Sequence, residues 1–195
     1  MTVHVNALSP LRREVITSAN TRLVLATGAL SLLMALGAAV RLPLSWTPVP
    51  VTLQVFFLFY GAMALGRRSV WAQAGYLSFG AAGLPVFTGL VGGFAALTQG
   101  VTLGYLAGFV IASWVIGSLM KDRALSITRC LLVGSAGLLA CYIPGVLWLK
   151  SVTGISWGLS IHLGAAPFII FDILKIAAAF GLYRLTAKRI SVLFK

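Results

Sequence analysis

The amino-acid sequence predicts an all-α integral membrane protein with six transmembrane helices and both termini in the cytoplasm. Hydrophobic residues make up 59% of the 195 residues and charged residues only 9%, and the mean hydropathy is +1.01. This apolar surface exceeds what one soluble core of this size can bury. The apolar residues also fall into six segments, which turns, loops and basic clusters separate. We therefore expect a helical bundle that lies in a lipid bilayer.

The basic residues predict how the chain is oriented in the membrane. The net charge is +12, but Lys and Arg lie at the ends of apolar segments and form no stripe on a polar domain, which argues against nucleic acid as a partner. Twelve of the 15 Lys and Arg residues belong to the two terminal segments, the turn at 66–68 and the loop after residue 120. The positive-inside rule places these segments in the cytoplasm.

The first half of the chain contains three predicted spans. Residues 23–40 form the first, and small side chains repeat along it every four residues: Thr27, Ser31, Ala35 and Ala39. Such a ladder lets another helix approach closely, either within the bundle or from a partner protein. A proline-rich, non-helical loop at 41–50 leads to a short second span at 51–65. The third span, 69–84, ends in an uncharged glycine-rich stretch that suggests a segment folded back over a cavity.

The second half of the chain contains three more predicted spans, at residues 97–120, 130–149 and 167–185, with a loop expected at 150–163. The fourth span begins with polar side chains, namely Thr98, Gln99 and Thr102, and Tyr105 follows one turn later. In domain terms, we expect a cytoplasmic tail at 1–22, one transmembrane substrate-binding domain at 23–186 and a second cytoplasmic tail at 187–195.

The sixth span carries an acid and a base, Asp172 and Lys175, in a chain with only three acidic residues. Either charge at the centre of a membrane helix costs roughly 2.5 to 3.5 kcal/mol, so the two must pair or bind a polar ligand. Their three-residue spacing places them on one helix face. A purely structural pair, or a Lys175 that snorkels to the interface, is the alternative. Neither alternative explains why both charges stand where apolar residues would insert more easily.

The remaining chemistry favours binding over catalysis. The chain has no G-x-x-x-x-G-K loop for ATP, and its two histidines and three carboxylates offer little for a zinc site or for acid/base work. We therefore expect no enzyme activity, no metal and no cofactor. A carboxylate that accepts hydrogen bonds beside an ammonium that donates them suits a ligand edge with N–H groups next to a carbonyl, as in a cyclic urea. Alternatively, Lys175 binds a ligand carboxylate.

Three motifs lie in order along the chain: TPVPVTLQ at 47–54, GLPVF at 83–87 and GAAPFIIFDILK at 164–175. Together they resemble the BioY family, the biotin-binding S components of energy-coupling-factor (ECF) transporters. The similarity covers nearly the whole chain. Two positions depart from the family patterns: Val101 replaces the proline of G-P-T-x-G-Y, and Phe171 replaces the glycine of P-F-x-x-G-D-x-x-K.

The resemblance implies an S-component-like bundle in a prokaryotic cell membrane, with biotin bound on the outer side. The implied partners are biotin, membrane lipids, a transmembrane coupling subunit on which Ala35 and Ala39 dock, and two ATPase subunits. Asp172 and Lys175 match the family's ligand-binding acid and base, and Tyr105 matches its tyrosine. By position in the chain, four further substrate-binding candidates are Gln54, Thr88, Gln99 and Thr102.

The same residues leave other functions open. Within transport, the chain is alternatively an S component for another vitamin or a biotin facilitator that works alone. From a different class, it is a structural membrane subunit in which Asp172 and Lys175 are a packing pair.

Overall fold

The computed structural model describes residues 19–120 and 126–193, most of which are helical. The elements in chain order are α1 (Ala19–Ala39), β1 (Arg41–Leu42), β2 (Val51–Thr52), α2 (Gln54–Leu65), a 3₁₀ turn (Gly66–Arg68), α3 (Ser69–Ala81), α4 (Phe94–Gln99), α5 (Leu103–Leu119), α6 (Ile127–Thr153), α7 (Trp157–Gly164), a second 3₁₀ turn (Ala166–Phe168) and α8 (Ile169–Leu193). Most of the predicted N-terminal tail, the basic loop at 121–125 and the last two residues lie outside the described residues.

Several helices are long and apolar enough to cross a membrane. Among the described residues these are Asn20–Ala39, Thr128–Thr153 and the segment Trp157–Ser191, and α5 is a shorter apolar helix. Helices α2 and α3 have 12 and 13 residues. They therefore rise only about 18 to 20 Å, less than the roughly 30 Å of a hydrocarbon core. The predicted all-helical membrane fold is confirmed, while the number of six spans and the side of the termini stay predictions.

Two predicted boundaries are wrong. Residues 150–163 are not a loop, because α6 continues to Thr153 and α7 begins at Trp157. Gly154 ends α6 in a left-handed conformation (φ 70°), and the Ser156 side chain caps α7 by accepting from the Leu159 N–H. The predicted fourth span is also not continuous, since an extended Gly100 separates α4 from α5. Local cap chemistry, which the apolar pattern conceals, sets these ends.

The core lies between helices from both halves of the chain. Its large, fully buried side chains come from α1, α2, α3, α5, α6 and α8, and they include Met34, Phe59, Tyr76, Ile116 and Tyr183. In a bilayer, apolar side chains gain little by leaving lipid for protein, so close packing must hold the helices together. The interdigitated aromatic and methionine side chains supply that packing.

Helices α5 and α6 approach most closely where α5 has glycines. A Cβ atom at Gly104 would overlap the Pro144 carbonyl and the Trp148 side chain, and one at Gly108 would lie 2.8 Å from the Cys141 carbonyl oxygen. Pro144 lies inside α6 and has no N–H to donate to the carbonyl one turn earlier. The small-xxx-small pair of Gly104 and Gly108 therefore lets the two backbones touch.

The small-residue ladder of α1 does not face one neighbour. Ser31 is buried against α3, where its hydroxyl donates to the Ala72 carbonyl at 2.7 Å. Ala35 is half-buried against the core and Ala39 is exposed. A four-residue step advances about 40° around a helix of 3.6 residues per turn, so the ladder rotates from the bundle to the outside. Packing within the bundle is realised at Ser31, while docking through Ala35 and Ala39 stays a prediction.

The contact between α5 and α6 yields a stability test. Replacing Gly104 with Leu should lower the free energy of unfolding by roughly 1 to 3 kcal/mol or more, because the side chain meets backbone that cannot move aside. Gly28→Leu on α1 is the control, since no atom of the described part of the chain lies within 4 Å of a Cβ placed there. Thermal unfolding of both purified variants in one detergent measures the effect. Equal midpoints for the two variants would contradict the close packing.

Candidate solute-binding site

The predicted acid and base lie side by side at a small cavity inside the bundle. Asp172 is only 3% exposed, and the Lys175 ammonium donates to its Oδ1 at 2.7 Å. Asp172 is also the only carboxylate in residues 19–120 and 126–193. The ion pair and the binding site are therefore not exclusive, because the paired charges themselves line the cavity.

The local sequence explains how Asp172 reaches this position. Pro167 lies in the 3₁₀ turn that leads into α8, where its missing N–H costs no helical hydrogen bond. Asp172 then falls in the first turn of α8, near the positive end of the helix dipole. Phe171, which departs from the family pattern, is 38% exposed and does not belong to the cavity lining.

Tyr142 on α6 is a site residue that the sequence analysis missed. Its hydroxyl donates to Oδ2 of Asp172 at 2.6 Å, so a donor meets each oxygen of the carboxylate. In the sequence Tyr142 reads as one more aromatic residue in the middle of an apolar span. Only the packing of α6 beside α8 brings its hydroxyl to Asp172.

Gln54 lines the cavity but has both ends of its side-chain amide engaged. It accepts from the Thr52 hydroxyl at 3.1 Å and donates to the Tyr76 hydroxyl at 3.0 Å. Tyr76 in turn donates to the Val86 carbonyl in the glycine-rich loop. This buried chain of hydrogen bonds ties the start of α2 to α3 and to the loop that follows α3.

The other predicted residues divide into two groups. Tyr105, Thr88 and Thr102 line the same cavity as the acid and base, whereas Gln99 is exposed on α4 and lies outside the lining. The Tyr105 hydroxyl donates to the Gly164 carbonyl at 2.6 Å, so its ring is what it offers to a ligand. Six of the seven predicted substrate-binding residues thus line one cavity: Gln54, Thr88, Thr102, Tyr105, Asp172 and Lys175.

A second, wider cavity adjoins the first on the side of the first loop. The inner cavity measures about 60 Å³ and the outer one about 300 Å³, and both include Pro50, Thr88, Thr102 and Leu106 in their linings. Among residues 19–120 and 126–193, Arg41 is the one charged residue in the lining of the outer cavity. Its Nη1 would lie 2.9 Å from a Cβ atom at Gly89, so the glycine leaves room for the guanidinium. Sequence reasoning placed Arg41 in a loop without a binding role.

Two anchors hold the first loop over these cavities. Strands β1 and β2 pair antiparallel, with Arg41 opposite Thr52, so the ends of the loop lie together. Thr47 is buried, and its hydroxyl donates to the Leu163 carbonyl at the end of α7 at 2.7 Å. The loop therefore spans from the start of α2 to the entry of α8.

The fold and the site define a class of protein. A helical membrane bundle encloses a buried acid paired with a half-buried base, a wall of apolar and hydroxyl side chains, and an adjoining cavity with an arginine. Such a concave site with few converging polar groups is typical of proteins that bind a small solute.

The chain belongs to the BioY family, whose model matches residues 11–192. It is similar to the biotin transporter BioY of Thermotoga maritima, with 39% identity over 173 residues, 88% of this chain and 98% of the relative. It is also similar to the biotin transporter BioY2 of Lactococcus lactis, with 35% identity over 158 residues, 77% and 86% of the two chains. The family membership predicted from the three motifs is therefore confirmed.

A solved structure shares the fold. The crystal structure of the S-component for biotin from an ECF-type ABC transporter superposes with a TM-score of 0.81 at 20% sequence identity. The match covers 90% of this chain and 97% of that one. The predicted S-component-like bundle is confirmed at the level of the fold.

Proposed function

We propose that this protein is the biotin-binding S component of an ECF-type uptake transporter, located in a prokaryotic cell membrane. The observation that carries the proposal is the ion pair of the buried Asp172 with the half-buried Lys175 at a cavity of a BioY-family bundle. The relatives are biotin transporters by name, and the structural neighbour is an S-component for biotin. The protein captures biotin on the outer face for import.

The acid and base fit the ureido ring of biotin. A carboxylate oxygen accepts about two hydrogen bonds, and each Asp172 oxygen uses one of them within the protein. One position on each oxygen remains for a ureido N–H group. The Lys175 ammonium has three N–H donors, and one of them donates to Asp172. A second N–H then donates to the ureido carbonyl of biotin. The ring of Tyr105 and the hydroxyls of Thr88 and Thr102 complete the wall.

Arg41 is the group that binds the carboxylate of biotin in this proposal. The acid of the ligand lies at the end of a flexible chain, away from the ring system. The outer cavity continues from the inner one and carries Arg41 as its charged residue. A guanidinium matches a carboxylate with two parallel hydrogen bonds. Biotin then lies with its rings toward Asp172 and its chain toward the first loop.

The proposed topology has six spans with both termini in the cytoplasm. Arg67 donates from Nε to the Ser118 hydroxyl at the end of α5, so the basic 66–68 turn and the end of α5 lie at one end of the bundle. Arg41 belongs instead to the first loop over the site. Helices α2 and α3 complete their crossings with adjoining loop residues. The transmembrane domain is 23–186 between two tails, although α1 already begins at Ala19 and α8 continues to Leu193.

The proposed partners supply the energy for import. The sequence lacks a P-loop of its own, and the partners that the family resemblance implies are two ATPase subunits and a transmembrane coupling subunit that links them to this protein. The coupling subunit docks on α1, where Ala39 lies on the exposed face and Ala35 at its edge. Small residues there allow the partner helix to approach closely.

Labelled biotin binding to the detergent-solubilised protein tests the ligand and the acid. Asp172→Asn should weaken binding by roughly 1.5 to 3 kcal/mol, the scale of a hydrogen bond to a charged group, and Lys175→Ala should weaken it as well. Lys188→Ala, far along α8, is the control and should bind like the wild type. Unchanged affinity in Asp172→Asn would remove the acid from the site. No binding by well-folded wild type would overturn biotin as the ligand.

Biotin amide, which lacks the carboxylate of biotin, tests whether Arg41 binds that carboxylate. Arg41→Gln should weaken binding of biotin about tenfold or more, because a charge-assisted pair is lost, and should leave binding of the neutral biotin amide nearly unchanged. Lys150→Gln is a matched control, since Lys150 stacks on Trp157 and lines neither cavity. Equal losses of affinity for biotin and for its amide would show that Arg41 does not bind the carboxylate.

A substitution at Ala39, the exposed end of the ladder, tests whether the coupling subunit docks on α1. Ala39→Trp should retain biotin binding but abolish co-purification with the coupling subunit, because the indole prevents close helix contact. Leu147→Trp on α6, at another exposed position, should retain both. Intact assembly of Ala39→Trp with its partners would place the docking surface elsewhere.

A further inference from the structure

We propose that Tyr142 is a positioning residue of the binding site, which fixes the Asp172 carboxylate for the ligand and separates it from the lipid. The inference rests on the proposed function and deepens it. Tyr142 reaches Asp172 from another helix, 30 residues earlier in the chain, with an oxygen–oxygen distance of 2.6 Å. That distance is typical of a hydrogen bond to a charged carboxylate.

The first part of the role is orientation. The terminal torsion of an aspartate side chain is soft, so one contact does not fix the carboxylate plane. Lys175 donates to Oδ1 from the same helix, and Tyr142 donates to Oδ2 from α6. Two donors on different oxygens set the plane, and with it the direction of the remaining acceptor positions. A ligand with two N–H groups then meets a preformed acceptor and loses less entropy on binding.

The second part of the role is separation. Tyr142 lines the inner cavity and also an apolar groove of about 560 Å³ between α6 and α8. Exposed side chains such as Leu131, Leu139 and Ile173 border that groove, as expected of a surface that faces lipid tails. The tyrosine ring thus stands between hydrocarbon and a buried charge. Charge in contact with hydrocarbon is costly, so the ring protects the site as well as shaping it.

A core aromatic residue without a role in binding would not need the hydroxyl. Phenylalanine fills the same volume, and a buried hydroxyl in an apolar span is costly unless it has a partner. Here the partner is Asp172, the only carboxylate in the described ranges 19–120 and 126–193. The hydroxyl is therefore tied to the same group that the proposed function assigns to the ligand.

A double-mutant cycle on biotin affinity tests the inference. Tyr142→Phe retains the ring and should weaken biotin binding about tenfold, the loss expected for one hydrogen bond that orients a charged group. In the Asp172→Asn background the same change should alter affinity less than twofold, because the group that Tyr142 positions is gone. Tyr60→Phe is the control, since it removes a hydroxyl that contacts Thr186 away from the cavity.

The outcomes separate this inference from the proposed function. If wild type binds biotin and Tyr142→Phe binds equally well, Tyr142 has no positioning role and the function stands. Equal losses in the two backgrounds would assign Tyr142 to general packing and would also overturn the inference. No binding by wild type would overturn the function and the inference together.

A second variant covers the case in which Tyr142→Phe does not fold. A 3-fluorotyrosine at position 142 retains the ring and the hydroxyl but makes the phenol a stronger donor. Its biotin affinity should differ from that of the wild type when Asp172 is present and should not differ in the Asp172→Asn background. If the proteins with tyrosine and with 3-fluorotyrosine at position 142 bind biotin equally well in the presence of Asp172, the inference is overturned.

Discussion

The site depends on one buried negative charge. Asp172 lies almost out of contact with solvent, where a lone carboxylate would be very costly, and two donors compensate it: an ammonium one helical turn away and a phenol on a neighbouring helix. Three neighbouring elements meet at this carboxylate or at its cavity. The 3₁₀ turn with Pro167 leads into α8, the Tyr142 hydroxyl donates to the carboxylate, and the first loop contributes Val49 and Pro50 to the cavity lining.

Much of the site could be predicted because charge is rare in this sequence. With so few acids, Asp172 and Lys175 stood out, and their spacing on one helix face follows from helix geometry alone. Tyr105, predicted from the resemblance, and Gln54, Thr88 and Thr102, predicted from their positions in the chain, also line the cavity. Tyr142 and Arg41 could not be found in this way. An aromatic residue in an apolar span and an arginine at its end are typical of membrane proteins, and only the tertiary structure distinguishes these two from the others.

The sequence also predicts only part of the fold. Apolar segments predicted the helices, but not their ends, because single residues such as Gly100, Gly154 and Ser156 determine where a helix breaks or begins. The ladder on α1 shows how a regular sequence pattern can mislead. Spacing of four residues suggested one contact face, yet each step rotates around the helix, and the pattern passes from Ser31 in the bundle to Ala39 on its surface.

The glycine contact between α5 and α6 has a consequence for motion. Backbones that touch at Gly104 and Gly108, about one helical turn apart, resist sliding of α5 along α6. Helix α8 packs mainly on α2 and touches α6 only sparsely. The hydrogen bond from Tyr142 to Asp172 is therefore one of few links between α6 and α8. A movement of α8 away from α6 would break this bond and leave the Asp172 carboxylate with one donor fewer.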